Sequence, residues 1–241
     1  MIKNLSIIYP IFNEEKRLFN IFQDIKKFNK KTHHISKEYI FVDDGSFDNS
    51  KKRIKDFIKL NKNSKIQYKI ISYKVNKGKG YALKSGVLNS TKKWILTTDS
   101  DCSVSNFQIL TWMKKNYINK ENMIYFASRN HPISQVKKIK SREIIGAIFR
   151  FAISLIFNVK ISDTQCGFKL YKANIAKKIF SKIKTNGYMH DLEICIISKK
   201  MNYVINELPV IWKHKFEGKI SFFKDSIKII SSLMMIKFNR Y

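Results

Sequence analysis

The chain has 241 residues, 44% of them hydrophobic, which suits one α/β domain with a real core and excludes a small disulfide-stapled module. Lys and Arg number 47 against 18 Asp and Glu, a formal net charge of +29 that points to a polyanionic partner, either nucleic acid or an anionic membrane surface. Lys far outnumbers Arg, the residue that reads bases and phosphates, so the excess speaks against a specific nucleic-acid reader and also fits a drift of genome composition.

Three prolines and eight glycines leave little room for a flexible linker. Cys102, Cys166 and Cys195 are odd in number and widely spaced, so neither a disulfide framework nor a metal-ligand spacing is expected, and a reducing compartment is the natural setting. The amino terminus enters a strand at once, which predicts no leader, and no apolar run reaches the ~20 residues that span a bilayer.

Apolar runs and helical patterns alternate through the first half. Strands are expected at Leu5 to Tyr9, Tyr39 to Val42, Gln67 to Ser72, Trp94 to Thr97 and Met123 to Ala127. Helices are expected from Glu14 to Phe28, after Ser46 to Leu60, from the Lys77-Gly78-Lys79-Gly80 turn through Val87, and from Phe107 to Asn116. Such alternation means a mostly parallel, three-layer sheet.

In the second half, Ile144 to Phe157 is nearly all apolar and reads as either a core helix or one lying in a membrane interface. A strand-like segment follows at Gly167 to Tyr171, then helices at Asn174 to Ser181 and Asp191 to Lys200 and a strand from Tyr203 to Trp212. The tail from Ile220 to Tyr241 is amphipathic. Phe223, Ile227, Ile230, Met234 and Phe238 fall on one stripe with Lys224, Lys228 and Lys237 beside it, a pattern that suits core packing or an anionic bilayer equally.

Chemistry concentrates in four loops that a parallel sheet would gather at its carboxyl edge, where open α/β sheets bind ligands. They are Pro10-Ile11-Phe12-Asn13-Glu14-Glu15, Asp43-Asp44-Gly45-Ser46, Lys77-Gly78-Lys79-Gly80 and Asp99-Ser100-Asp101. If the strand continues through the last, Asp99 and Asp101 project to one side. Two hard carboxylates there suit Mg²⁺ or Mn²⁺, whereas the plainer reading is a solvated acidic loop.

Tyr-Pro-Ile-Phe-Asn-Glu-Glu, Val-Asp-Asp-Gly-Ser-Phe-Asp, Asn-Lys-Gly-Lys-Gly-Tyr-Ala, Thr-Asp-Ser-Asp, Ala-Ser-Arg and Asp-Thr-Gln-Cys-Gly-Phe-Lys-Leu run from Tyr9 to Leu170, with a looser Met-His-Asp-Leu-Glu at Met189 to Glu193. With these motifs the chain resembles family 2 glycosyltransferases of the GT-A type, and within them the dolichyl-phosphate (polyprenyl-phosphate) β-glucosyltransferases. The Asp163 to Leu170 motif points to that glucosyl branch.

The resemblance implies a GT-A fold over residues 1–241: a nucleotide-sugar half (1–128), an acceptor half (129–219) and an amphipathic carboxyl-terminal helix (220–241), with membrane-docking helices in the second half. It implies transfer of glucose from UDP-glucose to a polyprenyl phosphate with inversion. Pro10, Phe12, Asn13 and Glu14 would frame the uridine. Asp43 would touch base or ribose, with Asp44 and Gly45 shaping the turn. Lys79, at a helix start with free N–H groups, would face the diphosphate. Asp99, Ser100 and Asp101 would meet the donor, with Asp99 and Asp101 on the Mg²⁺ or Mn²⁺ that neutralises the leaving group.

On the acceptor side, a dianionic phosphate needs cations rather than a base. Arg129 and Arg142 are the candidates, with Asp163 and Gln165 beside the acceptor; a plain surface arginine is the alternative for each. Asp191 is expected near the sugar or acceptor, or as a helix cap, with Glu193 beside it. The implied partners are a UDP-sugar, the lipid phosphate and an anionic membrane surface or a membrane-embedded protein, with no nucleic acid and a peripheral location on the cytoplasmic face. Rival readings are another donor such as GDP-mannose, a saccharide acceptor for which Asp191 must act as base, and a basic nucleic-acid-binding module.

Overall fold

The computed structural model describes residues 2–61, 65–118, 124–136, 156–213 and 231–238. Strand and helix alternate as β1 (Asn4–Ile11), α1 (Leu18–Lys31), β2 (Ser36–Asp43), α2 (Ser50–Leu60), β3 (Ile66–Ser72), α3 (Lys79–Leu88), β4 (Trp94–Thr97), α4 (Gln108–Lys114) and β5 (Ile124–Ser128). A short β6 (Gln135–Val136) precedes β7 (Lys169–Lys172), α5 (Ala173–Lys182), α6 (His190–Lys200), β8 (Ile205–Pro209) and β9 (Ile211–Trp212).

Seven strands form one sheet in the order β3-β2-β1-β4-β7-β5-β8. β1 pairs in parallel with β2 and β4, and β5 with β8, while β7 runs antiparallel between β4 and β5. The strand pattern is legible in its side chains. Ile7, Tyr9, Tyr39, Phe41 and Leu96 pack on one face with α1, α2 and α4, whereas Ile8, Ile40, Val42 and Ile95 pack on the other with α3, α5 and α6. Alternate residues of each strand therefore feed two separate cores, which is why these strands read as continuous apolar runs.

Several boundaries differ from expectation for local reasons. α1 opens at Leu18 rather than Glu14, because the Glu14 carbonyl accepts the N–H groups of Arg17 (2.8 Å) and Leu18 (3.0 Å) in a turn, while the Glu14 N–H is held by Ser50 Oγ at 2.9 Å. The expected strand from Tyr203 to Trp212 is two strands, since Val210 lies between them with its N–H on Ser134 Oγ at 2.9 Å.

At the carboxyl end, residues 231–238 are helical. The face turned to the core carries Ile236, 2% exposed, with Leu233 packed beside it. Met234, Met235 and Phe238 stand exposed, so Met234 and Phe238 are not core residues. Phe223, Ile227, Ile230 and most of the apolar segment from Ile144 to Phe157 lie outside the described residues.

Candidate active site

Because β1, β2 and β4 run parallel, the loops after them share one edge. The first two are fastened together. Asn13, at φ 52°, donates its N–H to Ser46 Oγ (3.0 Å), and its side-chain oxygen accepts the Phe47 N–H (3.0 Å). The Glu15 N–H meets Asp48 Oδ2 at 3.1 Å. Pro10 is buried within β1 beside Val42, and Phe12 sits half-buried just past that strand.

Asp43 ends β2 and accepts the Ser46 N–H at 3.2 Å. Asp44 accepts the N–H groups of Lys77 and Gly78, each at 2.8 Å, so its carboxylate ties the second loop to the third. Burial raises the Asp44 pKa, and those two N–H groups oppose the shift. Gly45 has φ 77°, and a Cβ there would meet the backbone of Val75 and Asn76 at 2.7 Å. Only glycine lets the two loops lie this close.

The third loop differs from expectation. Two of the N–H groups at the start of α3 are not free for a diphosphate: Gly80 and Tyr81 donate theirs to the Asn186 carbonyl at 2.7 and 3.2 Å. What reaches the site is the Lys79 ammonium, 2.6 Å from Asp99 Oδ1. Burial works against this charge, but Asp99 and Asp191 hold the Lys79 pKa above the ordinary lysine range.

The fourth loop is not an extension of its strand. β4 stops at Thr97, Ser100 and Asp101 form a turn, and Cys102 follows at φ 54°. The reasoning from alternation therefore does not apply to Asp99 and Asp101, whose placement comes from contacts instead. Asp101 Oδ1 accepts the Ser103 N–H at 2.8 Å. Asp99 lies flat against Gly167, where an added Cβ would overlap its carboxylate.

No group of three acidic, His or Cys residues with metal-holding geometry occurs among the described residues. Asp99 and Asp101 nevertheless offer the hard oxygens that Mg²⁺ or Mn²⁺ prefers, and Mg²⁺ is commonly held by one or two carboxylates plus substrate phosphates. The donor set fits such an ion.

Beneath this edge lies a buried charge cluster that sequence reasoning reached only in part. Asp191 sits inside the first turn of α6 rather than at its cap. Its Oδ1 pairs with the Lys169 ammonium and lies 3.2 Å from His190 Nε2. Lys169 is 1% exposed, donates to the Thr164 carbonyl at 2.8 Å and stands 4.6 Å over the Phe126 ring. Burial alone would raise the Asp191 pKa, but His190 and Lys169 hold it well below the carboxylate range. Glu193 serves the fold: it accepts the N–H groups of Lys184 (2.9 Å) and Thr185 (2.8 Å).

Arg129 follows β5 directly, as expected, yet its fork is engaged. Nε and Nη2 each donate to Asp163 at 2.7 Å, and the backbone N–H adds a third bond at 2.9 Å. Trp212 lies 5.8 Å from its guanidinium. Asp163 is buried, which would raise its pKa, but Arg129 holds it low. Gln165 is exposed nearby in sequence, and Cys166 is buried packing. Arg142 and His214 lie outside the described residues. Gly167, Lys169 and His190 lie inside the quoted motifs, which assign them no role; a lysine between Phe168 and Leu170 in an apolar strand was the available signal.

Comparison with known proteins decides the family. The model for glycosyl transferase family 2 matches residues 6–180. The chain belongs to that family. This family 2 glycosyltransferase is 32% identical over 244 residues to the dolichyl-phosphate beta-glucosyltransferase of Dictyostelium discoideum, covering 97% of this chain and 74% of that one. It is 31% identical over 251 residues to the protein of that name from Saccharomyces cerevisiae, with the same coverages, and 26% identical over 246 residues to the one from Homo sapiens, covering 98% and 75%. Its fold resembles glucosyl-3-phosphoglycerate synthase from Mycobacterium tuberculosis, solved with Mn²⁺, uridine diphosphate and glucosyl-3-phosphoglycerate, at a TM-score of 0.69 and 14% identity over 99% of this chain and 81% of the other. The same synthase has been solved with Mg²⁺ and uridine diphosphate. The mixed α/β sheet flanked by helices is thus a GT-A fold.

Proposed function

We propose that this glycosyltransferase moves glucose from UDP-glucose to a polyprenyl phosphate with inversion, giving a β-linked lipid-phosphate sugar. The similarity to dolichyl-phosphate β-glucosyltransferases along nearly the whole chain supports the donor and acceptor classes. The observation that carries the acceptor is the Asp191 carboxylate, paired with Lys169 and His190. A carboxylate already paired with a buried ammonium and an imidazole is a poor proton acceptor, so the site suits an acceptor that arrives ionised, as a phosphate does, better than a saccharide hydroxyl.

Phe12, Asn13 and Asp43 would receive the uridine, and the Lys79 ammonium the diphosphate. Asp99 and Asp101 would hold a divalent ion, which when bound neutralises charge developing on the leaving nucleotide. The guanidinium of Arg129, oriented by Asp163, would attract the acceptor phosphate and aim one oxygen at the anomeric carbon. Arg142 and Gln165 belong to the same proposed acceptor side.

The acceptor's lipid lies in a bilayer, and no described helix is long and apolar enough to cross one. Peripheral docking on an anionic cytoplasmic face is the location proposed. The exposed Met234, Met235 and Phe238 next to Lys237, the net charge of +29 and three free cysteines support it. The test is incubation with UDP-glucose, UDP-galactose or GDP-mannose, a polyprenyl phosphate and Mg²⁺ or Mn²⁺, followed by mass and linkage analysis of the lipid. UDP release matched by β-glucosyl lipid phosphate is expected; preference for GDP-mannose, or an unchanged lipid with every donor, refutes the assignment.

A further inference from the structure

Phe47 is 86% exposed, the most exposed large apolar side chain among the described residues. An aromatic ring in water forfeits the burial that usually stabilises it. Nothing in the core explains its position, yet its backbone is fixed. The Phe47 N–H donates to Asn13 Oδ1 at 3.0 Å, and the neighbouring Ser46 Oγ accepts the Asn13 N–H at 3.0 Å. The ring is therefore presented by two loops bonded to each other, at the edge where Asp43 ends its strand.

Its ring neighbour among the described residues is Phe12, with centroids 6.1 Å apart and planes at 83°. Rings at right angles form two walls of a corner rather than a closed stack, and each keeps a face the other does not cover. A corner of this kind accepts a flat heteroaromatic ring, which stacks on one wall and meets the other at its rim.

We propose that Phe47 is the second aromatic wall of the nucleobase site, stacking on the pyrimidine of the donor nucleotide and setting donor affinity. The proposal rests on the reading of this edge as the nucleotide site and adds a residue to it. On this proposal Phe47 acts on binding alone: a phenyl ring has no group that takes or gives a proton, and no step of the transfer passes through it.

The experiment titrates UMP, UDP and inorganic pyrophosphate into wild type, Phe47→Ala, Phe47→Trp and Asp43→Asn by calorimetry. Phe47→Ala should weaken UMP and UDP by the same factor, at least about 5-fold from the low end of base–aromatic stacking, and leave pyrophosphate unchanged. Phe47→Trp should keep nucleotide affinity and add to the emission of Trp94, Trp112 and Trp212 an exposed indole component whose quenching by UMP exceeds any change seen in wild type. If Phe47→Ala binds UMP as wild type does while Asp43→Asn is weakened, the stacking proposal fails and the nucleotide site stands. A loss of pyrophosphate binding equal to the loss of UMP means that Phe47 merely shapes the loop, which also overturns it. If wild type binds no UMP, the nucleotide-site reading itself falls and takes the proposal with it.

Discussion

Lys79 Nζ lies 2.6 Å from Asp99 Oδ1, so the cation suited to the donor's diphosphate and an acid suited to a divalent ion neutralise each other. On the proposed reading, donor and metal would exchange this pair for two others, ammonium with phosphate and carboxylate with metal. Binding of the two ligands would then be coupled, each releasing the group the other needs.

Lys79→Met removes the competitor. Its affinity for Mn²⁺ alone should rise by about 5-fold, the scale of a partly exposed charge pair, while its affinity for UDP alone falls. Titration of Mn²⁺ followed by its electron paramagnetic resonance reads the first effect with no substrate present. An unchanged Mn²⁺ affinity would mean that Asp99 is not a ligand.

Asp101→Asn keeps an oxygen that can accept the Ser103 N–H, now at 2.8 Å from Asp101 Oδ1, so the turn should survive. Metal-dependent transfer should fall by at least about 100-fold, the order lost when one preorganised electrostatic contact is removed. The melting temperature should move by no more than about 2 °C. Wild-type turnover in this variant contradicts the metal role.

Much of this arrangement was legible in the residues. Parallel strands bring loops together wherever the strands end, so Asp43, Lys79 and Asp99 could be placed at one edge from topology alone. Contacts made by residues far apart in sequence could not. Asn186 covers the α3 amides, Gly167 supports Asp99, and Lys169 reaches Asp191 across 22 positions. Periodicity left the tail's stripe open between core and bilayer, and only tertiary contacts decide between them for its described part: Ile236 meets the core while Met234 and Phe238 stand exposed.

Lys169→Met should cost stability because it leaves Asp191 buried without its lysine. Breaking such a pair costs about 3–5 kcal/mol, which for a chain of this size lowers Tm by roughly 10 °C. Pairing it with Asp191→Asn removes the orphaned charge. The double variant should regain most of the lost Tm but not activity. Equal Tm values for the single and double variants would show that the pair is not coupled.

The Arg129–Asp163 pair predicts an acid dependence. The folded Asp163 pKa lies below its unfolded value of about 3.9, so the pair's contribution is complete above that value and is lost as pH falls through the folded one. The unfolded value cancels between the two proteins, so the Tm gap between wild type and Arg129→Met should be widest near pH 7 and should shrink as pH falls, because the buried Asp163 left without its arginine takes up a proton at a higher pH than the paired one. Calorimetry across that range measures it; a gap that widens in acid reverses the sign and removes the ion pair as its cause.

Docking through the exposed face of residues 231–238 can be tested without disturbing the fold. Truncating the tail would also remove Ile236, which packs on the core, so a loss of binding would be ambiguous. Met234 and Phe238 are 52% and 72% exposed, and changing both to Ser leaves the Ile236 contact in place. Burying a large apolar side chain is worth about 1.5–3 kcal/mol, and partial insertion of two should give a comparable total. The double variant should bind vesicles of anionic and zwitterionic lipid about 10-fold more weakly than wild type by co-sedimentation, at low and high salt alike. A surface that docks by charge alone predicts the opposite pattern: equal binding by both proteins in low salt and none by either in high salt.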